Sequence, residues 1–283
     1  MIAQMLARAG LHLATTTVGR MLKERPRPSR PAVNETADSN PKERVVTAKY
    51  PGHVFHVDLT VVPTSLGFWC TWLPFALPQC WPFCWWVALV EDHFSRRVMG
   101  FAVFQSQPTS EAVRRFLGRT VFREGGVPKY LICDHGAQFW SHGFKAWSRR
   151  KGIRLRFGAV GKYGSLAVIE RLILTVKLVL GSLPLVPLEA DAFRREVRLV
   201  LDWYNEHRPY TTLGGRTPNE VYLGRFPANR KPRFEPRSRW QRGSPCARPW
   251  ALVKGKPGAR FELELEFFAA RGHLPIVALR RAA

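Results

Sequence analysis

Lys129-Tyr130-Leu131-Ile132-Cys133-Asp134-His135-Gly136-Ala137-Gln138-Phe139 opens on a short apolar run that stops at an aspartate. The run reads as a strand, and Asp134 stands at its tip. A helical pattern follows from Ser165 to Leu180 and carries Glu170, Ile173, Leu174 and Lys177, with 35 residues between Asp134 and Glu170. At 3.6 residues per turn, Glu170 and Lys177 share one helix face. Upstream, Asp58 interrupts a second apolar stretch, Val54-Phe55-His56-Val57 before it and Leu59-Thr60-Val61-Val62 after it. A carboxylate at a strand end combined with another on a helix makes a rigid acidic site.

Two aspartates and a glutamate with this spacing resemble the Asp-Asp-Glu integrase catalytic core shared by insertion-sequence transposases and retroviral integrases. The local matches are Val57-Asp58-Leu59-Thr60, Asp134-His135-Gly136-Ala137-Gln138-Phe139, and Glu170-Arg171 followed by Lys177. Trp203-Tyr204-Asn205-Glu206-His207-Arg208-Pro209 and Leu213-Gly214-Gly215-Arg216-Thr217-Pro218-Asn219-Glu220-Val221-Tyr222 look like the ending typical of bacterial insertion-sequence members. The resemblance runs from about Tyr50 to Arg225. It departs from the usual pattern at His135, where many relatives have asparagine, and at Gly164-Ser165, which replaces Asn-Gly.

The resemblance implies a ribonuclease-H-like fold and a reaction in which an element's end is nicked and the freed 3′-hydroxyl is joined to target DNA. It also implies that Asp58 bridges two Mg²⁺ (or Mn²⁺) ions, that Asp134 binds one and Glu170 the other, and that the protein acts as a homo-oligomer on DNA. Clustered carboxylates are anionic near neutrality, and oxygen ligands with no accompanying Cys/His set suit Mg²⁺ rather than zinc. Lys162, Arg171 and Lys177 are the candidates for holding DNA phosphates, although Arg171 is equally suited to pair with a structural carboxylate. His56 shares Asp58's strand face, and its expected role is packing or hydrogen bonding rather than metal ligation. Asp92, in Glu91-Asp92-His93-Phe94-Ser95-Arg96, is expected to organise a turn. Two alternatives remain open: a catalytically idle DNA-binding remnant, and a metal-dependent nuclease without joining activity.

Charge supports a polyanionic partner. The 283 residues hold 44 Lys plus Arg against 21 Asp plus Glu, a formal net charge of +23. Such a field attracts nucleic acid. Five cysteines with no paired framework suit a reducing compartment, and Met1 to Lys23 lacks a secretory pattern. A cytoplasmic protein acting on a bacterial chromosome is therefore expected. Leu59 to Val90 carries no charge, but Pro63, Pro74, Pro78 and Pro82 would break a membrane helix, so no span is expected. The reading there is two strands joined by a tryptophan-rich loop containing Trp69, Trp72, Trp81, Trp85 and Trp86, packed on the domain or on a partner subunit.

Along the chain, residues 1–24 read as two short helices with Gly10 between them, a partial helix-turn-helix or a helical arm for subunit association, with Val18, Met21 and Leu22 facing inward. Residues 25–49 read as a proline-rich linker and 50–225 as the catalytic core. Strands are expected at Val54–Val62, Trp85–Val90, Arg97–Phe104, Tyr130–Cys133 and Ile153–Phe157. Ser110 is expected to cap a helix, and Thr217-Pro218-Asn219-Glu220 to form a capping box. This is an α/β class with a mixed sheet and flanking helices. Residues 226–259 form a basic, proline-rich strap suited to phosphate contact. Residues 260–283 form a small β unit, because Phe261-Glu262-Leu263-Glu264-Leu265-Glu266-Phe267 alternates apolar with acidic.

Overall fold

The computed structural model describes residues 1–22, 46–64, 79–158, 166–228, 234–236, 249–251 and 261–281. Its centre is a five-stranded mixed sheet of β1 (Val54–Pro63), β2 (Cys84–Asp92), β3 (Val98–Phe104), β4 (Tyr130–Cys133) and β5 (Arg154–Phe157), in the order β3-β2-β1-β4-β5. β1, β2 and β3 are antiparallel neighbours, whereas β1, β4 and β5 run parallel. A sheet that begins as a meander and continues through helical crossovers is the ribonuclease-H-like arrangement. The crossovers are α3 (Ser110–Arg123) between β3 and β4, and α4 (Ala137–Trp140) with α5 (His142–Arg150) between β4 and β5.

Both faces of the sheet are covered, so β2 is apolar on both. Val87 and Leu89 point into a core shared with α6 (Ala167–Leu180) and α7 (Ala190–Glu206). Ala88 and Val90 point into the opposite core, built with Val113, Phe116, Phe139 and Phe144 of α3, α4 and α5. Period-two alternation accounts for this division. On α7, Phe193, Val197, Val200, Leu201 and Tyr204 fall on one buried stripe at helical spacing. Asn205 then fastens the helix to β3: its amide oxygen accepts the Val98 N–H at 2.9 Å and its amide nitrogen donates to the Val98 carbonyl at 3.1 Å.

The strand readings agree with the structure to within two residues, while several details differ. Thr109, not Ser110, caps α3, because its side chain accepts the Ala112 N–H at 3.2 Å. The glutamate-bearing helix begins at Ala167. A short helix, α4, had no counterpart in the sequence reading. The capping box is present: Thr217 accepts the Glu220 N–H, and Glu220 accepts the Thr217 N–H, at the start of α8 (Pro218–Tyr222). Of the tryptophans, Trp69 and Trp72 lie outside the described residues. Trp85 is buried and donates to the Pro187 carbonyl, and Trp81 donates to that of Leu188, so both tie β2 and the segment before it to the α6–α7 connection.

At the amino end, α1 (Ile2–Ala9) closes on Gly10 in the left-handed conformation (φ 104°), and α2 (Thr15–Leu22) follows. Val18 is buried as expected, but Met21 and Leu22 are exposed, since it is α1 and not α2 that packs on the Pro275–Arg281 strand. Arg8 donates twice to the Glu220 carboxylate, at 2.7 and 2.8 Å. At the carboxyl end, β8 (Phe261–Phe267) and β9 (Pro275–Arg281) pair antiparallel. The alternation of β8 is realised, but its apolar face, Leu263, Leu265 and Phe267, is exposed, because the hairpin docks through Leu274, Pro275 and Ile276. β6 (Phe234–Pro236) and β7 (Pro249–Ala251) form a second two-stranded pair. The rest of the basic strap lies outside the described residues. No described helix is long and apolar enough to cross a membrane.

Candidate active site

The sheet register brings the two aspartates together. On the parallel β1–β4 pair, Val54 faces Tyr130, Phe55 faces Leu131 and His56 faces Ile132. Asp58 lies two residues beyond the last pair on β1 and Asp134 two beyond it on the β4 side, close enough for Asp134 to act on the Asp58 carboxyl. Asp58 points to the side of the sheet covered by α6, whose first turn carries Glu170.

Electrostatics give the same grouping. Asp58 is pushed up from the usual 3.8 to about 7, mainly by burial and then by the charges of Asp134 and Glu170, while the Leu59 N–H and Lys177 act in the opposite sense. Each aspartate spends one oxygen on its own turn. Asp58 Oδ1 accepts the Leu59 N–H at 2.7 Å, and Asp134 Oδ1 accepts the Gly136 N–H at 3.0 Å. Among the described residues, the other oxygen of each accepts no hydrogen bond. Asp134 and Glu170 are each within electrostatic reach of Asp58. Among the described residues, however, no three His, Cys, Asp or Glu side chains are drawn close enough to form a ready metal-binding cluster.

Gly136 is fixed here by space rather than by backbone freedom. A Cβ at that position would stand 2.4 Å from Gln138 Nε2 and 3.0 Å from Asp134 Oδ1. Sequence reading quoted Gly136 within the motif without assigning it this role. Cys133, immediately before Asp134, is fully buried, and burial with the charges of Asp134 and Asp58 pushes its thiol up to about 12. It is therefore a neutral packing group rather than a thiolate ligand.

The remaining candidates separate. Lys177 is exposed and close enough to act on Asp58. Arg171 is exposed, is not among the groups acting on Asp58, and has no carboxylate partner among the described residues. Lys162 lies outside the described residues. His56 is buried, with Nε2 2.8 Å from His93 Nδ1 and the two rings stacked at 5.0 Å. Asp92 organises the expected turn: its Oδ2 accepts the Ser95 N–H at 2.9 Å and the Ser95 hydroxyl at 2.6 Å, while Arg96 adopts a positive φ of 64°.

The mixed sheet thus carries Asp58 on β1 and Asp134 just past the end of β4, with Glu170 in the first turn of α6. Residues 48–162 match the family described as integrase core domain. Over 246 residues it is 26% identical to the protein named as the transposase for insertion sequence element IS986/IS6110 of Mycobacterium tuberculosis (strain H37Ra), covering 80% of this chain and 81% of that one. The Mycobacterium bovis protein of the same name matches equally. Among solved structures, the HTLV-2 integrase catalytic core in complex with magnesium aligns at 18% identity over 62% of this chain and 99% of that one, with a TM-score of 0.45. The BIV integrase catalytic core aligns at 20% identity over 61% and 95%, with a TM-score of 0.43.

Proposed function

We propose that this protein is a DNA transposase that nicks the ends of its element and joins the freed 3′-hydroxyl to target DNA, with Asp58, Asp134 and Glu170 as its catalytic acids. The observation that carries the reading is geometric: β1 brings Asp58, and the first turn of α6 brings Glu170, to one side of the sheet, where Asp134 and Glu170 both act on Asp58. Mutual repulsion among three acids is relieved by a cation, and the donor set consists of carboxylate oxygens beside a protonated thiol, which suits Mg²⁺ or Mn²⁺. Asp58, central to the group, would bridge two ions, with Asp134 holding one and Glu170 the other. Bound ions would activate the attacking oxygen and steady the leaving one.

The chain's own groups have separate tasks. The Leu59 and Gly136 N–H groups fix the rotamers of the two aspartates, leaving one oxygen of each turned to the site. Lys177, on the same helix as Glu170, offers an ammonium for a passing phosphate, and Lys162 and Arg171 are the further candidates for phosphate contact. The net charge of +23 draws DNA to this surface. The relatives' names support transposition rather than simple hydrolysis. We place the reaction on the bacterial chromosome, in the cytoplasm, carried out by a homo-oligomer assembled on DNA.

Incubating the purified protein with end-labelled element ends and Mg²⁺ tests this. Joined products are expected. Cleavage without joining would replace the reading with a nuclease, and retention without cutting would replace it with an idle DNA-binding remnant.

A further inference from the structure

Beside Asp134 lies an aromatic cluster that the catalytic chemistry does not use. His135 follows the aspartate directly, Trp140 ends α4, and Phe157 ends β5 opposite Cys133. Their rings meet at 5.3 Å (His135 to Trp140), 5.3 Å (His135 to Phe157) and 4.8 Å (Trp140 to Phe157). Packing alone does not explain the arrangement. Phe139, one residue earlier, is 0% exposed and anchors α4, whereas Trp140 is 50% exposed and His135 is also exposed. α4 thus buries one aromatic and presents the next to solvent.

Beyond Asp134, the chain that builds the cluster is basic. Lys145 Nζ sits 3.5 Å from the centroid of the Trp140 ring. From His135 to Phe157 the chain has no Asp or Glu, and it has six basic residues: Lys145, Arg149, Arg150, Lys151, Arg154 and Arg156. All but Lys145 are exposed, on α5, the turn that follows it, or β5. Aromatic faces interleaved with cations are the chemistry that holds single-stranded nucleic acid: the rings stack on bases and the cations meet phosphates.

We propose that Trp140, supported by His135 and Phe157, is a stacking shelf for an unpaired nucleobase of the strand entering the site, with Lys145 taking an adjacent phosphate. The inference rests on the transposase reading and specifies what that site selects, namely a strand end whose last pairs are open. Lys145 carries its charge on a flexible stem, so it can leave the ring for a phosphate as the base takes its place.

The test is a binding cycle on the full-length protein without divalent metal, using a duplex with an unpaired 3′ overhang and the same duplex with an abasic overhang. Trp140→Ala is expected to weaken binding of the first about tenfold and Trp140→Phe much less, as loss of one stacked base implies. The abasic duplex should bind wild type about tenfold more weakly and show no further loss with Trp140→Ala. With 5-iodouracil in the overhang, photocrosslinking should label Trp140. If the two losses multiply independently, if wild type does not distinguish the duplexes, or if crosslinks fall elsewhere, the shelf is wrong while the transposase reading stands. If wild type binds neither duplex, both fall. Because the abasic comparison and crosslinking use wild type, the proposal remains testable even if Trp140→Ala does not fold.

Discussion

Asp58 held near neutrality has two consequences that can be measured separately. In the metal-free protein its folded pKa of about 7 exceeds the ordinary 3.8, so between those values the unfolded chain is ionised while the folded chain keeps a proton. Stability therefore falls on its account as pH rises through that window. Asp58→Asn should raise the metal-free melting temperature more at pH 8 than at pH 4, by a stabilisation of about 1–2 kcal/mol, while abolishing strand joining. A second residue-scale prediction concerns Gly136. An added methyl meets only the side-chain ends of Gln138 and Asp134, so Gly136→Ala should move Gln138 at a cost of about 1 kcal/mol or less in denaturant unfolding, and a larger loss would mean that Gln138 is locked in place. The three acids were singled out by the motif resemblance, and the sequence also showed that Asp134 follows one apolar run and Asp58 interrupts another. Trp140's exposure was not legible: neighbouring residues of a helix point about 100° apart, and four residues are too few for a periodicity that says which of Phe139 and Trp140 faces inward.

At the scale of elements, β1 is fastened to the turn after β2 by the His56–His93 pair. Both imidazoles are held neutral, His56 down to about 3 and His93 down to about 4, in each case chiefly by burial, with Arg96 adding to it. Their folded pKa values lie below the ordinary 6.5, so the contribution is intact above that value and is lost as pH falls from about 6.5 toward 4. Each group should add on the order of 1.4 kcal/mol per pH unit to the loss. Replacing both with glutamine should flatten urea midpoints measured between pH 7 and 5, and an unchanged slope would contradict the assignment. A second element-scale link joins α1 to α8. Arg8→Ala leaves Glu220 its two backbone N–H partners, from Thr217 and Ala228, but no cation, so a loss of about 1–3 kcal/mol is expected in thermal unfolding. Periodicity disclosed the strands and long helices. It could not disclose Arg8–Glu220, which spans nearly the whole chain, or the outward-facing apolar side of β8, because alternation defines two faces without saying which one is covered.

For the whole molecule, the mixed sheet brings distant stretches of chain together, and only one of those distances was legible. The motif resemblance implied that Asp58 and Asp134 share one site, and the parallel β1–β4 register, paired as far as His56 and Ile132, leads toward both. The positive charge was plain from composition, and its consequence belongs to this scale. If about six to ten phosphates are neutralised on binding, DNA affinity should drop about 10³–10⁵-fold between 50 and 200 mM salt, as read by fluorescence anisotropy. A shallow dependence would mean that the basic surface is not the DNA-binding face. The central claim, that three acids from two strands and one helix serve a single cation site, is tested most directly by calorimetric titration of Mn²⁺ into the DNA-bound protein at pH 8. Asp58→Asn, Asp134→Asn and Glu170→Gln should each weaken binding at least about tenfold, as loss of a shared ligand requires. Any one of the three that left Mn²⁺ affinity unchanged would contradict the account.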